Sequence, residues 1–175
     1  TLDTDESLSR IVWSESDGLP GLIVDRYGDH LVMQTTTMAM EQRQDLIAQV
    51  LVALLKPSSI TLRNDSSMRK AEGLEPEIKM IHGTQPPPFT VTHGESTFEI
   101  DPANGQKTGL YLDIMDCYER VAKFAKGKKV LDVFCNQGGF ALACAKAGAE
   151  SVLAVDISEE ATAATARNAE LSDVE

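Results

Sequence analysis

The sequence predicts an α+β region over residues 1–106 followed, over 107–175, by the opening strands of an open α/β sheet of the nucleotide-binding kind. Three observations carry this reading. An apolar run at 129–134 enters the turn Cys135-Asn136-Gln137-Gly138-Gly139-Phe140, a helical interval follows, and Val152-Leu153-Ala154-Val155 then ends on Asp156. In such sheets a ligand lies over the carboxyl ends of the strands, and an acid about 20 positions further on takes the ribose hydroxyls. Asp132 to Asp156 spans 24 residues and Gly139 to Asp156 spans 17, which fits that geometry.

The first region reads as strands and hairpins with one helix. Residues 10–16 and 21–25 are short strands around the turn Asp17-Gly18-Leu19-Pro20-Gly21, and Gly28-Asp29 turns the chain into a strand over 30–37. Residues 41–55 place Ile47, Val50, Leu51 and Leu54 at helical spacing, ended by Lys56-Pro57. A strand follows over 59–62. The polar stretch 66–79 reads as a surface loop or short helix, and His93-Gly94-Glu95 turns between strands at 89–91 and 97–100. In the second region Ile114, Tyr118, Val121 and Ala125 mark a helix face, before the strand–helix–strand–helix run to the end.

Composition bounds the function. At 175 residues with 42% apolar and 25% charged content, the chain is of globular type, with room for one ordinary domain or two small ones. No apolar run approaches the ~20 residues of a membrane span, so no membrane partner is expected. The N-terminus lacks a secretion signal and an initiating Met, which suggests a trimmed or excerpted chain. The three cysteines, Cys117, Cys135 and Cys144, form no C-x-x-C pair. That argues against a disulfide framework or a zinc knuckle and for a reducing cytoplasm. The net charge of −11 argues against a general nucleic-acid surface. Residues 107–129 nevertheless carry net +3 against −6 over 150–175, a segregation that can steer a polyanion to one face or serve only as solvated helix and turn.

Each motif has a functional and a purely structural reading. The glycines at 138 and 139 let backbone approach a ligand and open a helix N-terminus, yet strand–glycine–helix turns also occur without ligands. The loop lacks the G-x-G-x-x-G of dinucleotide sites. Adenosylmethionine presents a carboxylate rather than a pyrophosphate, for which a shorter cradle suffices. Asp156 stands where a ribose ligand belongs, or it supports the helix start at Ser158-Glu159-Glu160. The segment Gly105–Asp113 either closes over a cofactor, with Tyr111 stacking on a base, or is a polar turn before a helix. Only 46 residues follow Lys129, about two strands, where a doubly wound sheet has roughly five to seven. The expectation is a piece of a longer polypeptide; the alternative is a sheet completed by another chain.

Four ordered motifs support a resemblance covering essentially the whole chain. Lys107-Thr108-Gly109-x-Tyr111-Leu112-Asp113, then Val130-Leu131-Asp132-x-Phe134 with Gly138-Gly139-Phe140, then Val155-Asp156 resemble the large-subunit ribosomal RNA cytosine-C5 methyltransferase family. The run from Asp17 to Arg26 is similar to the start of that family's middle domain, and Arg69-Lys70-x-Glu72-Gly73 recurs there. The chain departs from the pattern at Asn136-Gln137, where Tyr-Thr is usual, and at Ile114-Met115, where Gln-Arg is usual. The second departure removes a cation near the cofactor.

The resemblance implies a central α+β, RNA-associated domain followed by the N-terminal part of a Rossmann-like, S-adenosyl-L-methionine-dependent methyltransferase domain. It implies cofactor contacts from Tyr111, Asp113, Asp132, Phe134, Cys135, Asn136, Gln137, Gly138, Gly139, Phe140, Asp156 and Ile157. Substrate contacts are implied for Lys107, Thr108, Arg69 and Lys70. The substrate class is ribosomal RNA, at cytosine C5, by addition of a cysteine thiolate to C6 of an unstacked base. The nucleophilic cysteine of the family lies beyond residue 175, so no catalytic residue is assigned and the chain is expected to be catalytically incomplete. No metal is implied, and a homodimer is compatible with the pattern. The alternatives are a methyltransferase with another substrate and a non-catalytic binding or assembly module.

Overall fold

The structure, a computed structural model, describes residues 7–102 and 109–174. Lys107 and Thr108 lie outside the described residues. The chain forms two compact units, Thr1–Pro88 with Asp101–Gly109 and Phe89–Ile100 with Leu110–Glu175. The hairpin over 89–100, which the sequence places in the first region, therefore packs with the second.

The first unit is a five-stranded sheet in the order β1-β2-β3-β4-β5, built from β1 (Leu8–Trp13), β2 (Leu22–Tyr27), β3 (His30–Thr35), β4 (Ser59–Asn64) and β5 (Glu77–Gly83). Gly28, at φ 61°, opens the two-residue β2–β3 loop, the position where tight hairpins favour glycine. The helices α1 (Met38–Glu41) and α2 (Gln44–Leu55) cross from β3 to β4, which pair in parallel. Alternation along the strands sends Leu22, Val24, Leu31, Met33, Ile60 and Leu62 to one face, where Ala48 and Leu51 of α2 close the core.

Two expectations are corrected here. The buried face of α2 is Ala48 and Leu51 with Ile47, Val52 and Leu55, while Val50 and Leu54 are 47% and 74% exposed. Apolar residues surround this helix almost completely, so spacing alone does not select the face. Within 66–79, a short 3₁₀ turn at Ser67–Glu72 gives way to strand β5, starting at Glu77. That strand carries Glu77, Lys79 and His82, as an edge strand tolerates, between Ile78, Met80 and Ile81.

The second unit contains the hairpin β6 (Phe89–His93) and β7 (Ser96–Ile100), then α3 (Met115–Ala122), β8 (Lys129–Val133), α4 (Gly139–Lys146), β9 (Ser151–Val155) and α5 (Glu159–Leu171). Strands β8 and β9 pair in parallel, Lys129 opposite Ser151 through Val133 opposite Val155. One face of this pair is covered by α4 and α5. On the other, Leu131, Val133, Leu153 and Val155 stand 60%, 55%, 62% and 42% exposed. Helix α5 also closes the edge of β7. Ser172 Oγ accepts the Thr97 N–H and donates to the Thr97 carbonyl, and Asn168 Oδ1 accepts the Glu99 N–H. Four residues of helix rise by ~6 Å and two residues of strand by ~6.8 Å, so the two side chains meet the strand in step.

Candidate functional site

The parallel pairing of β8 and β9 brings the two predicted strand ends together. Past Val133 the chain curls tightly, with Phe134 at φ 64°, Asn136 at φ 50° and Gly138 at φ 82°. The left-handed conformation costs a non-glycine residue about 1–2 kcal/mol, less for asparagine, and it persists where neighbours hold it. The N–H groups of Phe134 and Cys135 both donate to the Val155 carbonyl, at 2.8 and 3.1 Å. The Asn136 N–H donates to Asp156 Oδ2 at 3.0 Å, and the Ser158 N–H donates to Oδ1 at 2.9 Å.

Asp156 therefore has two structural roles. It braces the start of α5 and it ties the loop to the end of β9. The two N–H donors, Ser158 foremost and then Asn136, hold its carboxyl below the ordinary aspartate range. Each carboxylate oxygen keeps a further lone pair for an outside donor, and the residue is half-exposed. Phe134 and Ile157, next to the two anchor residues, are 81% and 97% exposed.

From behind, α5 grips the loop through residues that sequence reading missed. Thr165 Oγ1 donates to the Asn136 carbonyl at 2.9 Å, and Asn168 Nδ2 donates to the Gln137 carbonyl at 3.0 Å. Asn168 is 1% exposed. The buried Cys135 packs its Sγ 3.5 Å from Thr165 Oγ1. A signal was present: Thr165, Asn168 and Ser172 fall at i, i+3, i+7, the inward stripe of a helix, where apolar residues are the rule.

The glycine at 139 answers to α3. A Cβ there would lie 2.3–2.7 Å from the Tyr118 ring and hydroxyl, so the ring occupies the space that a side chain would need. Tyr118 also meets Phe140 edge-on at 4.7 Å. Burial first, then the carboxylates of Asp113 and Asp132, push its hydroxyl up to about 12, so it stays a neutral hydrogen-bonding group. Asp132 accepts the Ala141 N–H at 3.1 Å at the start of α4; burial, reinforced by Asp156, raises its carboxyl. Tyr111 is half-buried and Asp113 exposed, both flanking the short turn Leu112–Ile114.

The loop over 134–140, Asp132, Asp156 and Ile157 thus gather at one end of β8 and β9. Arg69 and Lys70 belong to the first unit. Lys70 is exposed, but Arg69 is 2% exposed and its guanidinium is spent internally. It pairs with Glu41 at 2.8 Å and donates to the carbonyls of Thr35 and Glu75. The expectation that Arg69 contacts substrate is corrected to a structural role. Among the described residues no cluster could hold a metal ion, and no helix is long and apolar enough to cross a membrane.

Residues 105–175 match the family of ribosomal protein L11 methyltransferase (PrmA). Over 168 residues, 95% of its length, the chain is 42% identical to the ribosomal RNA large subunit methyltransferase I of Aeromonas hydrophila, covering 42% of that protein. It is 40% identical to the protein of the same name from Aliivibrio fischeri over 164 residues, 93% of this chain and 41% of that one. Among solved structures, a putative SAM-dependent methyltransferase from Streptococcus mutans superposes with a TM-score of 0.84 at 20% identity, over 97% of this chain and 44% of that one. A putative methyltransferase complexed with SAH gives the same TM-score over 43% of its length. The fold is therefore Rossmann-like, as in these neighbours. Over nearly its whole length the chain is a homologue of the proteins named ribosomal RNA large subunit methyltransferase I, spanning about two fifths of the length of those it matches.

Proposed function

We propose that this chain supplies the adenosyl-binding half of an S-adenosyl-L-methionine-dependent methyltransferase acting on large-subunit ribosomal RNA, with cytosine C5 as the target. The observation that carries the reading is the Asn136–Asp156 hydrogen bond, which joins the glycine loop and the lone acid at the carboxyl ends of adjacent parallel strands. The residues present fit the cofactor. Asp156 has free lone pairs for the ribose hydroxyls, Phe134 and Ile157 offer exposed apolar surface to the adenine, and Asp132 and Asp113 supply negative charge suited to an ammonium and a sulfonium. When bound, the cofactor supplies an electrophilic methyl group.

The name shared by the curated relatives and the bound SAH in a structural neighbour support the same reading. RNA is further favoured by charge. Arg120, Lys123, Lys126 and Lys128 are exposed, and among the described residues no ion pair engages them. Cys135 and Cys144 are not set up as nucleophiles. Cys135 and Cys144 are 6% and 1% exposed, and burial raises the Cys144 thiol. The chain alone should bind cofactor without transferring a methyl group.

Calorimetric titration of the chain with S-adenosylhomocysteine tests the reading. Binding that Asp156→Ala weakens at least about tenfold supports it, the loss of one or two hydrogen bonds to a charged acceptor. Binding unchanged by the substitution, or no binding at all, defeats it.

A further inference from the structure

We infer that α5 is the positioning element of the cofactor loop: Thr165 and Asn168 pin the carbonyls of Asn136 and Gln137, which keeps the Asn136 N–H aimed at Asp156. The inference takes its purpose from the cofactor reading above, but its geometry stands without it.

The loop needs such a device. Phe134 and Asn136 sit in the left-handed region, and conformations of that kind endure only where the surroundings over-determine them. In front, the Val155 carbonyl accepts from Phe134 and Cys135. Behind, the only side-chain donors to the loop carbonyls among the described residues are Thr165 and Asn168. Both are held by their neighbours. Asn168 is 1% exposed and its Oδ1 is committed to the Glu99 N–H, which fixes Nδ2 toward Gln137. Thr165 is wedged against Gly138, where a Cβ would come within 2.7 Å of its Cγ2.

The consequence is that Asn136 is held at both of its flanking peptides, by Thr165 at its carbonyl and by Asp156 at its N–H. Releasing the carbonyl unpins ψ of Asn136, so the left-handed residue can relax, and the N–H of the preceding peptide then leaves Asp156. The carboxylate loses a donor and its fixed orientation, the two properties that ribose recognition requires. Ser172, two turns along the same helix, serves as the internal control because, among the described residues, its side chain hydrogen-bonds Thr97 and no loop residue.

The test uses the full 175-residue chain with Thr165→Val, which keeps the shape and removes the donor, and Thr165→Ser, which keeps the donor. Thr165→Ala repeats the deletion should the valine disturb packing, and Ser172→Ala is the control. Two quantities are measured: the affinity for S-adenosylhomocysteine by calorimetry, and the titration of the Asp156 carboxyl by carbon-detected NMR. Thr165→Val should weaken binding about tenfold and return the Asp156 titration toward the ordinary aspartate value. Thr165→Ser should stay within about twofold of the parent, and Ser172→Ala should lower the urea midpoint while leaving both quantities unchanged. If the parent chain binds no S-adenosylhomocysteine while Thr165→Val still moves Asp156, the cofactor reading falls and the positioning role stands. If Thr165→Val moves neither quantity, or Ser172→Ala moves both equally, the positioning role is overturned.

Discussion

Gly139→Ala separates two accounts of why a glycine stands at the head of α4. One account leaves space for a ligand; the other leaves space for Tyr118. The structure allows the second to be worked out. The new Cβ would lie 2.3, 2.5 and 2.7 Å from Tyr118 atoms, where ordinary contacts begin near 3.4 Å, so the ring must retreat by about 1 Å. It has little freedom to do so, because Phe140 meets it edge-on at 4.7 Å while Phe98 and His93 flank it at 6.5 and 6.4 Å. Overpacking of this kind costs about 1–3 kcal/mol. A double-mutant cycle in urea isolates the clash. In a Tyr118→Ala background it is gone, and alanine should then be neutral or stabilise by up to about 1 kcal/mol through its better helix propensity. Tyr118→Phe should give no relief, since the two closest atoms belong to the ring. An equal cost of Gly139→Ala in both backgrounds would refute the packing account. If the double mutant is stable yet fails to bind S-adenosylhomocysteine, the glycine also serves the ligand.

Three further outcomes follow from the same structure. Asp156 has a folded-state pKa below its unfolded value, near 3.9, so its contribution to stability is present above that value and lost as pH falls through the lower folded pKa. Urea melts at stepped acid pH should show this loss in the parent chain and not in Asp156→Asn; parallel curves would sink the assignment. Arg69→Met should destabilise the first unit by about 3–5 kcal/mol, because it strands a part-buried Glu41 and two carbonyls, and a loss under about 1 kcal/mol would contradict the structural role. It should also release Glu41 upward, since the Arg69 hydrogen bond is the foremost cause of its lowered pKa. Reversing Lys123, Lys126 and Lys128 to Glu should weaken binding of a single-stranded RNA probe and flatten its log–log salt dependence by about 2, or ~0.7 for each phosphate no longer neutralised, with S-adenosylhomocysteine affinity unchanged; an unaltered salt slope would remove this strip as an RNA surface.

How much of this was legible before folding depends on whether the signal was local. The strand–glycine–helix–strand–acid order at 129–156 could be read directly, because a parallel pair built that way has one arrangement of its strand ends, and the Asn136–Asp156 hydrogen bond is its outcome. The β2–β3 hairpin was equally local, written in Gly28-Asp29 between apolar alternations. The orientation of α2 was not, since a helix apolar on most sides takes its face from the sheet it meets. Arg69 shows the limit most clearly. A basic pair beside a loop is the same string whether the guanidinium faces a phosphate or a part-buried glutamate, and Glu41 lies 28 residues away. Thr165 and Asn168 were hidden for the same reason: their partners are backbone carbonyls 29 and 31 residues earlier, groups that every residue possesses and no sequence pattern marks. What distinguishes such residues is a polar side chain on the inward stripe of a helix. Because burying an amide unpaired costs about 1–3 kcal/mol, that placement itself demands a backbone partner across the core. Applied to α5, the rule finds Asn168 and Ser172, the two side chains that close the edge of β7, and then Thr165, which with Asn168 holds the loop in front of Asp156.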